Sequence, residues 1–174
     1  MIWEVFRQQR AGRDFVYCRD VHAPDREMAK QYAVIQHGRR KPTHALWVAP
    51  QEEIRTVSAD DTVPEPADEG EPTEWVVFSP DRRGYHTECG TVTAAGEDAA
   101  ARRAVDTFGE DDELLWVVRE TDIGEVTADD VTFGGTTDKS YRFAQTYNVD
   151  PAAEEVEASE EEQVEAERER RGDA

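Results

Sequence analysis

WEVFRQQRAGRDFVYCRDVHAPDREMAKQYAVIQHGRRKPTHALWVAP, residues 3–50, has a pattern that returns 72 residues later. The second copy reads WVVFSPDRRGYHTECGTVTAAGEDAAARRAVDTFGEDDELLWVV, residues 75–118. Three matched pairs fix the register: Trp3 and Trp75, Cys18 and Cys89, Trp47 and Trp116. The small gaps between the copies fall in loops, so the sequence predicts one structural unit present twice.

Each copy begins with two predicted strands. In the first, WEVFRQ and DFVYCRDV are rich in aromatic and β-branched residues, and the short loop RAGR between them fits a hairpin. HALWVA then predicts a third strand, followed by a short turn through Ile54. The second copy gives the same order, with strands at EWVVFS, YHTECGTV and ELLWVV and a helix over EDAAARRAVDTF.

A helix is predicted between the second and third strands of the first copy. Pro24 suits the first helical turn, while Asp25 and Glu27 complement the positive end of the helix dipole. Gly38 suits the stop. The predicted apolar positions recur at helical spacing: Met28, Tyr32 and Ile35.

The predicted fold class is α+β, with two tandem ββαβ repeats. Three strands and one helix leave a sheet face or edge poorly covered, so we expect the two units to pair as an intramolecular pseudodimer. The predicted organisation is a first ββαβ repeat at 1–54, an acidic, proline-rich linker at 55–73, a second repeat at 74–123, a C-terminal segment at 124–149, and an acidic tail, expected to be disordered, at 150–174.

Charge differs sharply between the two copies. The chain carries 40 acidic and 20 basic residues, a formal net charge of −20, and its only lysines are Lys30, Lys41 and Lys139. Residues 1–54 nevertheless hold nine Lys or Arg against seven Asp or Glu, whereas residues 74–123 hold five Arg against twelve acids. Such a surface repels nucleic acid and anionic membranes and is typical of a halophilic, high-salt cytosol.

No apolar run is long enough to span a bilayer, and the start of the chain lacks a signal-peptide pattern, so we expect a cytoplasmic protein. Cys18 and Cys89 occupy matching positions, which suits a disulfide between repeats or a pair of buried free thiols. The reducing compartment favours free thiols.

The sequence contains none of the common catalytic or metal-binding motifs. It lacks Glu-x-x-His, Cys-x-x-Cys, a Gly-x-Ser-x-Gly elbow and a phosphate-binding glycine loop. A pair of Cys18 with a distant histidine is the remaining route to a nucleophile, and a core thiol is the alternative.

The most informative local feature is HGRRKPTH, residues 37–44, which concentrates Arg39, Arg40 and Lys41 after the helix. These charges complement the negative end of the helix dipole. They also suit docking of an acidic partner surface, or binding of the phosphates of a substrate such as a coenzyme A ester.

Aromatic residues occupy equivalent strand positions in the two repeats: Trp3, Phe6, Trp47, Trp75, Phe78 and Trp116. We expect them to form the core, with some available to face a partner.

Several of these residues resemble those of the PaaB family, the B subunit of the multicomponent phenylacetyl-CoA epoxidase (phenylacetate-CoA oxygenase). The family opening, an aromatic residue and then Glu-Val-Phe, matches residues 3–6. The family pattern at the helix start matches His22, Ala23, Asp25, Glu27 and Ala29, and the paired arginine followed by a Trp-Val strand matches Arg39, Arg40, Trp47 and Val48. In the C-terminal segment the matching residues are Lys139, Tyr141, Arg142 and Tyr147.

The resemblance implies a non-catalytic structural or assembly subunit of a di-iron epoxidase in aerobic phenylacetate degradation. Its implied partners are a catalytic di-iron oxygenase subunit, a companion structural subunit and an NADPH-dependent reductase. No cofactor, metal or catalytic residue is expected in this chain, which would be a monomeric pseudodimer or part of a higher assembly. The candidate partner interface comprises Glu4, His22, Asp25, Glu27, Arg39, Arg40, Lys41, Trp47, Tyr141 and Arg142.

Two other functions stay open at this point. One is a stand-alone, ferredoxin-like module that binds a small molecule or regulates another protein, and the other is an enzyme in its own right.

Overall fold

The computed structural model describes residues 1–39, 41–65, 70–110 and 113–133. The same order of elements occurs twice. The first repeat contains β1 (Ile2–Gln8), β2 (Val16–His22), α1 (Arg26–His37), β3 (Ala45–Pro50) and β4 (Arg55–Val57). The second contains β5 (Thr73–Pro80), β6 (His86–Ala94), α2 (Glu97–Phe108), β7 (Leu115–Arg119) and β8 (Gly124–Thr127). The two predicted ββαβ repeats are confirmed, and each is followed by a short fourth strand.

Alternation along the first strand of each repeat places apolar side chains on both faces of the sheet. Trp3 and Val5 pack against α1, whereas Phe6 points to the opposite face. Strand β5 repeats this arrangement. The indole Nε1 of Trp3 donates a hydrogen bond to the Ala23 carbonyl at 3.2 Å, and Trp75 does the same to Ala94 at 3.2 Å.

Helix α1 packs on the sheet through small residues. Ala29 and Ala33 are fully buried, and Met28 and Tyr32 are half-buried beside them. The prediction that Ile35 belongs to the buried face is wrong, because its side chain is 52% exposed. Because alanine is small, the backbone of α1 lies close to the sheet, and the larger side chains lie at the edge of this contact.

The eight strands form one antiparallel sheet in the order β4-β7-β5-β6-β2-β1-β3-β8. The fourth strand of each repeat lies in the half of the sheet that the other repeat builds. Strand β4 pairs with β7, and β8 pairs with β3. Residues 55–57, at the start of the predicted linker, therefore cover the edge of the second repeat, and residues 124–127 cover the edge of the first.

The sheet curves so that the helix-free face of its first half meets the helix-free face of its second half. In a flat sheet three strand spacings, roughly 14 Å, would separate β5 from β1. Yet the rings of Phe6 and Phe78 stack with centroids 4.1 Å apart, and the rings of Tyr17 and Trp116 meet edge to face at 5.2 Å. An apolar layer therefore joins the two halves, in addition to one core beneath each helix. This is the predicted pseudodimer.

The predicted core aromatics lie in these three clusters. Four of the six are buried, at Trp3, Phe6, Trp75 and Phe78. Trp47 and Trp116 are half-buried at the layer between the halves. No helix among the described residues is long and apolar enough to cross a bilayer. The predicted acidic tail lies outside the described residues.

Candidate functional site

An open cleft of about 600 Å³ lies beside the second strand of the first repeat. Strands β1 and β2 supply one wall, and the C-terminal end of α1 and the segment after it supply a second. The β5–β6 hairpin of the other repeat forms the opposite side. The side chains with polar or charged groups in this lining are Arg7, Gln9, Tyr17, Cys18, Arg19, Gln36, His37, Lys41, Asp81, Arg83 and Tyr85.

A β-bulge in β2 shapes the floor of the cleft. Val5 pairs with Arg19 and Phe6 pairs with Tyr17, so Cys18 is the extra residue. Its thiol donates a hydrogen bond to the Val5 carbonyl, with Sγ 3.3 Å from the oxygen. The second repeat has the same bulge at Cys89, whose Sγ lies 3.2 Å from the Val77 carbonyl oxygen.

Both cysteines are free, as the sequence favoured. The expectation that both are buried is wrong for Cys89, which is exposed, whereas Cys18 is half-buried. The two bulges share one backbone geometry, so the difference in exposure comes from the side chains that surround each thiol.

Among the described residues, four cations line the cleft from four separate segments, and a single carboxylate, that of Asp81, faces them. Arg7 donates from Nη2 to the His37 carbonyl at 2.8 Å, which fixes its guanidinium against the end of α1. The Asp81 carboxylate instead accepts from the backbone amides of Arg83 and Tyr85 in its own hairpin, at 2.7 and 3.0 Å. Within the described residues, no carboxylate lies within 4.0 Å of Arg7, Arg19, Lys41 or Arg83 as an ion-pair partner. The cleft is therefore positively charged in a strongly acidic chain.

Three groups of the cleft are held neutral at pH 7, namely the Cys18 thiol, the His37 imidazole and the Tyr17 phenol. Burial raises the pKa of the Cys18 thiol to about 11, so the thiol keeps its proton at neutral pH. Burial also lowers the pKa of His37, whose Nε2 lies 3.3 Å from the Asp20 carbonyl oxygen. Burial and the nearby negative charge of Glu4 raise the pKa of Tyr17. Cys18 and His37 line the same cleft, but a neutral thiol bonded to a carbonyl is a poor nucleophile.

The second repeat has an equivalent depression of about 400 Å³ with the opposite character. By strand register Arg7 corresponds to Ser79 and Arg19 to Gly90, and by helix position His37 corresponds to Phe108. The Phe108 ring packs over Gly90 so closely that a Cβ there would lie 2.5 Å from the ring. Glu110 and Glu113 also line this depression. The two repeats thus share a backbone but differ in charge at this position.

Of the candidate interface residues that the structure describes, Lys41 alone lines the cleft. Arg39 is exposed nearby in sequence. Three others lie around the opposite end of α1, which at 12 residues is about 18 Å long. There His22 is exposed with Nε2 3.3 Å from the Asp20 carboxylate, Asp25 caps the helix, and Glu27 pairs with Lys30 at 3.2 Å.

Two candidates lie in the interior rather than on an exposed face. Glu4 is 5% exposed and accepts a hydrogen bond from the Gln51 side chain at 2.8 Å. Its other carboxylate oxygen has no hydrogen-bond partner among the described residues. Trp47 stacks on Phe15 in the layer between the halves. Arg40, Tyr141 and Arg142 lie outside the described residues.

Sequence reasoning missed most of the cleft, namely Arg7, Arg19, Arg83 and Tyr85. A signal was present, because Arg7 and Arg19 stand where the second repeat has Ser79 and Gly90. When equivalent strand positions hold arginine in one repeat and a small residue in the other, the two side chains have different contacts. The described residues contain no cluster of three or more His, Cys, Asp or Glu that could hold a metal ion.

Comparison with known proteins connects this architecture to one family. No curated protein matches the chain, and no solved structure does. A family model described as phenylacetic acid degradation B, PaaB, matches twice, over residues 1–71 and 71–154. Each match includes a fourth strand, β4 in the first and β8 in the second. The chain therefore belongs to the PaaB family, a component of phenylacetic acid degradation, and carries the family unit in duplicate.

Proposed function

We propose that this chain is the non-catalytic assembly subunit of a multicomponent di-iron phenylacetyl-CoA epoxidase. The observation that carries the proposal is the chemistry of the cleft. Its one thiol has a pKa of about 11 and is bonded to the Val5 carbonyl, while its cations are free of carboxylate partners among the described residues. Such a surface binds and positions, and it does not activate a nucleophile.

The partners in this proposal are a catalytic di-iron subunit, a companion structural subunit and an NADPH-dependent reductase. Family membership supports a multicomponent system. The di-iron centre and the reductase cofactor belong to those partners, and no residue of this chain is assigned to them. The candidate contacts are the exposed side chains at the two ends of α1, among them His22 and Arg39.

The first test is purification of the tagged chain from its own cytosol at native salt, followed by mass spectrometry. We expect a di-iron subunit and a reductase to be recovered with it. The purified chain alone should consume neither NADPH nor dioxygen with phenylacetyl-CoA, and adding it to the partner subunits should raise their activity. Turnover by the chain alone would contradict the proposal, as would full activity of the partners without it.

The contact itself is tested by replacing Arg39 and Arg40 with Ser together. Removing rim charges chiefly slows association and weakens its salt dependence, so we expect about tenfold weaker partner binding at low salt. Arg103→Ser on α2 is the matched control, because it removes one exposed charge from the second repeat. Unchanged affinity in the double variant would exclude these two residues from the interface.

One observation favours a second candidate, a stand-alone small-molecule-binding or regulatory module. The cleft is concave and of the size that small ligands occupy. This candidate predicts that the tagged chain is recovered without the oxygenase subunits, whereas the assembly proposal requires their recovery.

A further inference from the structure

We propose that the cleft of the first repeat is a binding site for a small organic molecule that carries two or more phosphate groups. Its cations come from β1, β2, the segment after α1 and the β5–β6 hairpin, so folding alone brings them together. Bringing like charges from distant parts of the chain to one place costs electrostatic repulsion energy. A bound polyanion offsets that repulsion.

Arginine supplies three of the four cations, and its planar fork matches the oxygens of a phosphate. Arg7 is held by its bond to the His37 carbonyl, so little of its freedom is lost when an anion binds. Tyr17 and Tyr85 lie in the same cleft, and Tyr85 is 51% exposed. They offer an aromatic surface for the organic part of the ligand.

The charge of the whole molecule favours a small anion over a large one. The chain has a net charge of −20, which repels nucleic acid and the acidic face of another protein at long range. A small phosphate ester enters the cleft, where four nearby cations outweigh the distant acids because salt screens charges beyond roughly 8–10 Å. The cleft volume of about 600 Å³ also lies within the range of small-ligand sites, about 300–1,000 Å³.

The second repeat provides an internal comparison. At the equivalent place Ser79 replaces Arg7, Phe108 replaces His37 and fills the space over Gly90, and Glu110 adds negative charge. The same backbone with these side chains has no means of holding a phosphate. The proposal therefore predicts one ligand per chain, although the fold offers two equivalent positions.

Isothermal titration calorimetry of the full chain in 0.1 M KCl tests the site, with pyrophosphate and ADP as probes and adenosine as the uncharged control. We expect pyrophosphate and ADP to bind with one site per chain, and adenosine alone to give no heat. Arg83→Ser, in an exposed hairpin, should weaken both probes by about tenfold or more, since hydrogen bonds to charged groups are lost. Tyr85→Ala should weaken ADP but not pyrophosphate.

Arg7→Ser introduces the residue of the second repeat and should weaken both probes by about tenfold or more. A thermal melt shows that the variant is folded. Arg103→Ser, which removes an exposed charge on α2, should leave both affinities unchanged. The proposal is overturned if pyrophosphate gives no heat with the folded chain, or if Arg83→Ser and Lys41→Ser both bind it with unchanged affinity. Binding of a decaglutamate peptide without binding of pyrophosphate would likewise overturn it, in favour of an acidic protein ligand. Because the titration uses this chain alone, its outcome is independent of the recovery of partner subunits.

Discussion

A single extra residue in one strand accounts for the behaviour of each cysteine. Cys18 and Cys89 sit at matching bulges, and each thiol bonds to the carbonyl across the strand pair. The repeat conserves this geometry although the side chains above it differ completely. Burial raises the pKa of the Cys18 thiol to about 11, and partial burial of the Cys89 sulfur, within a residue that is exposed as a whole, raises its pKa as well. The thiol therefore acts as a hydrogen-bond donor that fixes the bulge.

The raised pKa of Cys18 predicts that its thiol reacts slowly with alkylating reagents at neutral pH. In a Cys89→Ser variant, alkylation of Cys18 by iodoacetamide should be slow at pH 7–9, because a thiol whose pKa is raised stays protonated below that pKa. The rate should climb as the pH approaches 11. Mass spectrometry of timed samples measures it, with a short cysteine peptide as the control. Labelling of the native variant at the peptide's rate at pH 8 would contradict the assigned environment.

The two helices have the same length and position but begin differently. Asp25 caps α1, and its carboxylate accepts from the Met28 amide at 2.9 Å. Gly96 occupies the corresponding position of α2 and has no side chain to offer. A Cβ at Gly96 would meet nothing within 4 Å. The duplication thus contains one capped and one uncapped version of the same helix start.

This difference predicts opposite effects of two substitutions. Asp25→Ala should lower the free energy of unfolding by about 0.5–2 kcal/mol, because one amide of the first turn loses its acceptor. Gly96→Asp should raise it by a few tenths of a kcal/mol, roughly the usual difference between these residues at a cap. Urea denaturation followed by circular dichroism measures both. An Asp25→Ala variant whose free energy of unfolding is unchanged would show that the cap does not stabilise the fold.

Elements were predictable from sequence to the extent that local patterns determine them. Aromatic and β-branched runs located the three main strands of each repeat, and Gly38 marked the end of α1. The prediction that Pro24 lies in the first helical turn is wrong, because Asp25 caps the helix and α1 begins at Arg26. The packing face of α1 was not predictable from large apolar residues, because Ala29 and Ala33 make the contact and leave Ile35 outside.

The cleft escaped prediction for a related reason. Arg7 and Arg83 are 76 positions apart in the chain, and only the sheet order brings their segments together.

The two repeats are joined by exchanged strands. Val57 of β4 is 1% exposed and packs in the core of the second repeat with Leu115 and Ala100. Val126 of β8 is 5% exposed on the strand that pairs with β3. Both repeats belong to one compact unit spanning Met1–Gly135. Pairing was predictable from the uncovered sheet faces, whereas the exchange was not, because strands of three and four residues carry little pattern.

The exchange predicts that neither half is self-sufficient. Residues 1–71 expressed alone should not give a stable monomer, since β4 and the outer edge of β3 both lack partners. Co-expression of residues 1–71 with 72–174 should give a 1:1 complex by size-exclusion chromatography with light scattering. Val57→Asp in the first fragment should abolish the complex, because it places a charge in the core of the second. A cooperative, monomeric melt of the fragment 1–71 would refute the interdependence.

The same exchange sets the order of events while the chain is being made. Strand β3 ends at Pro50, but the strand that covers its outer edge begins at Gly124. At about 5–20 residues per second, a ribosome needs roughly 4–15 s to add the intervening residues. Throughout that interval the nascent first half presents an unpaired edge, which is the part of a sheet most prone to join other chains. The molecule is therefore most vulnerable to aggregation during its synthesis, and release of β8 from the ribosome closes that period.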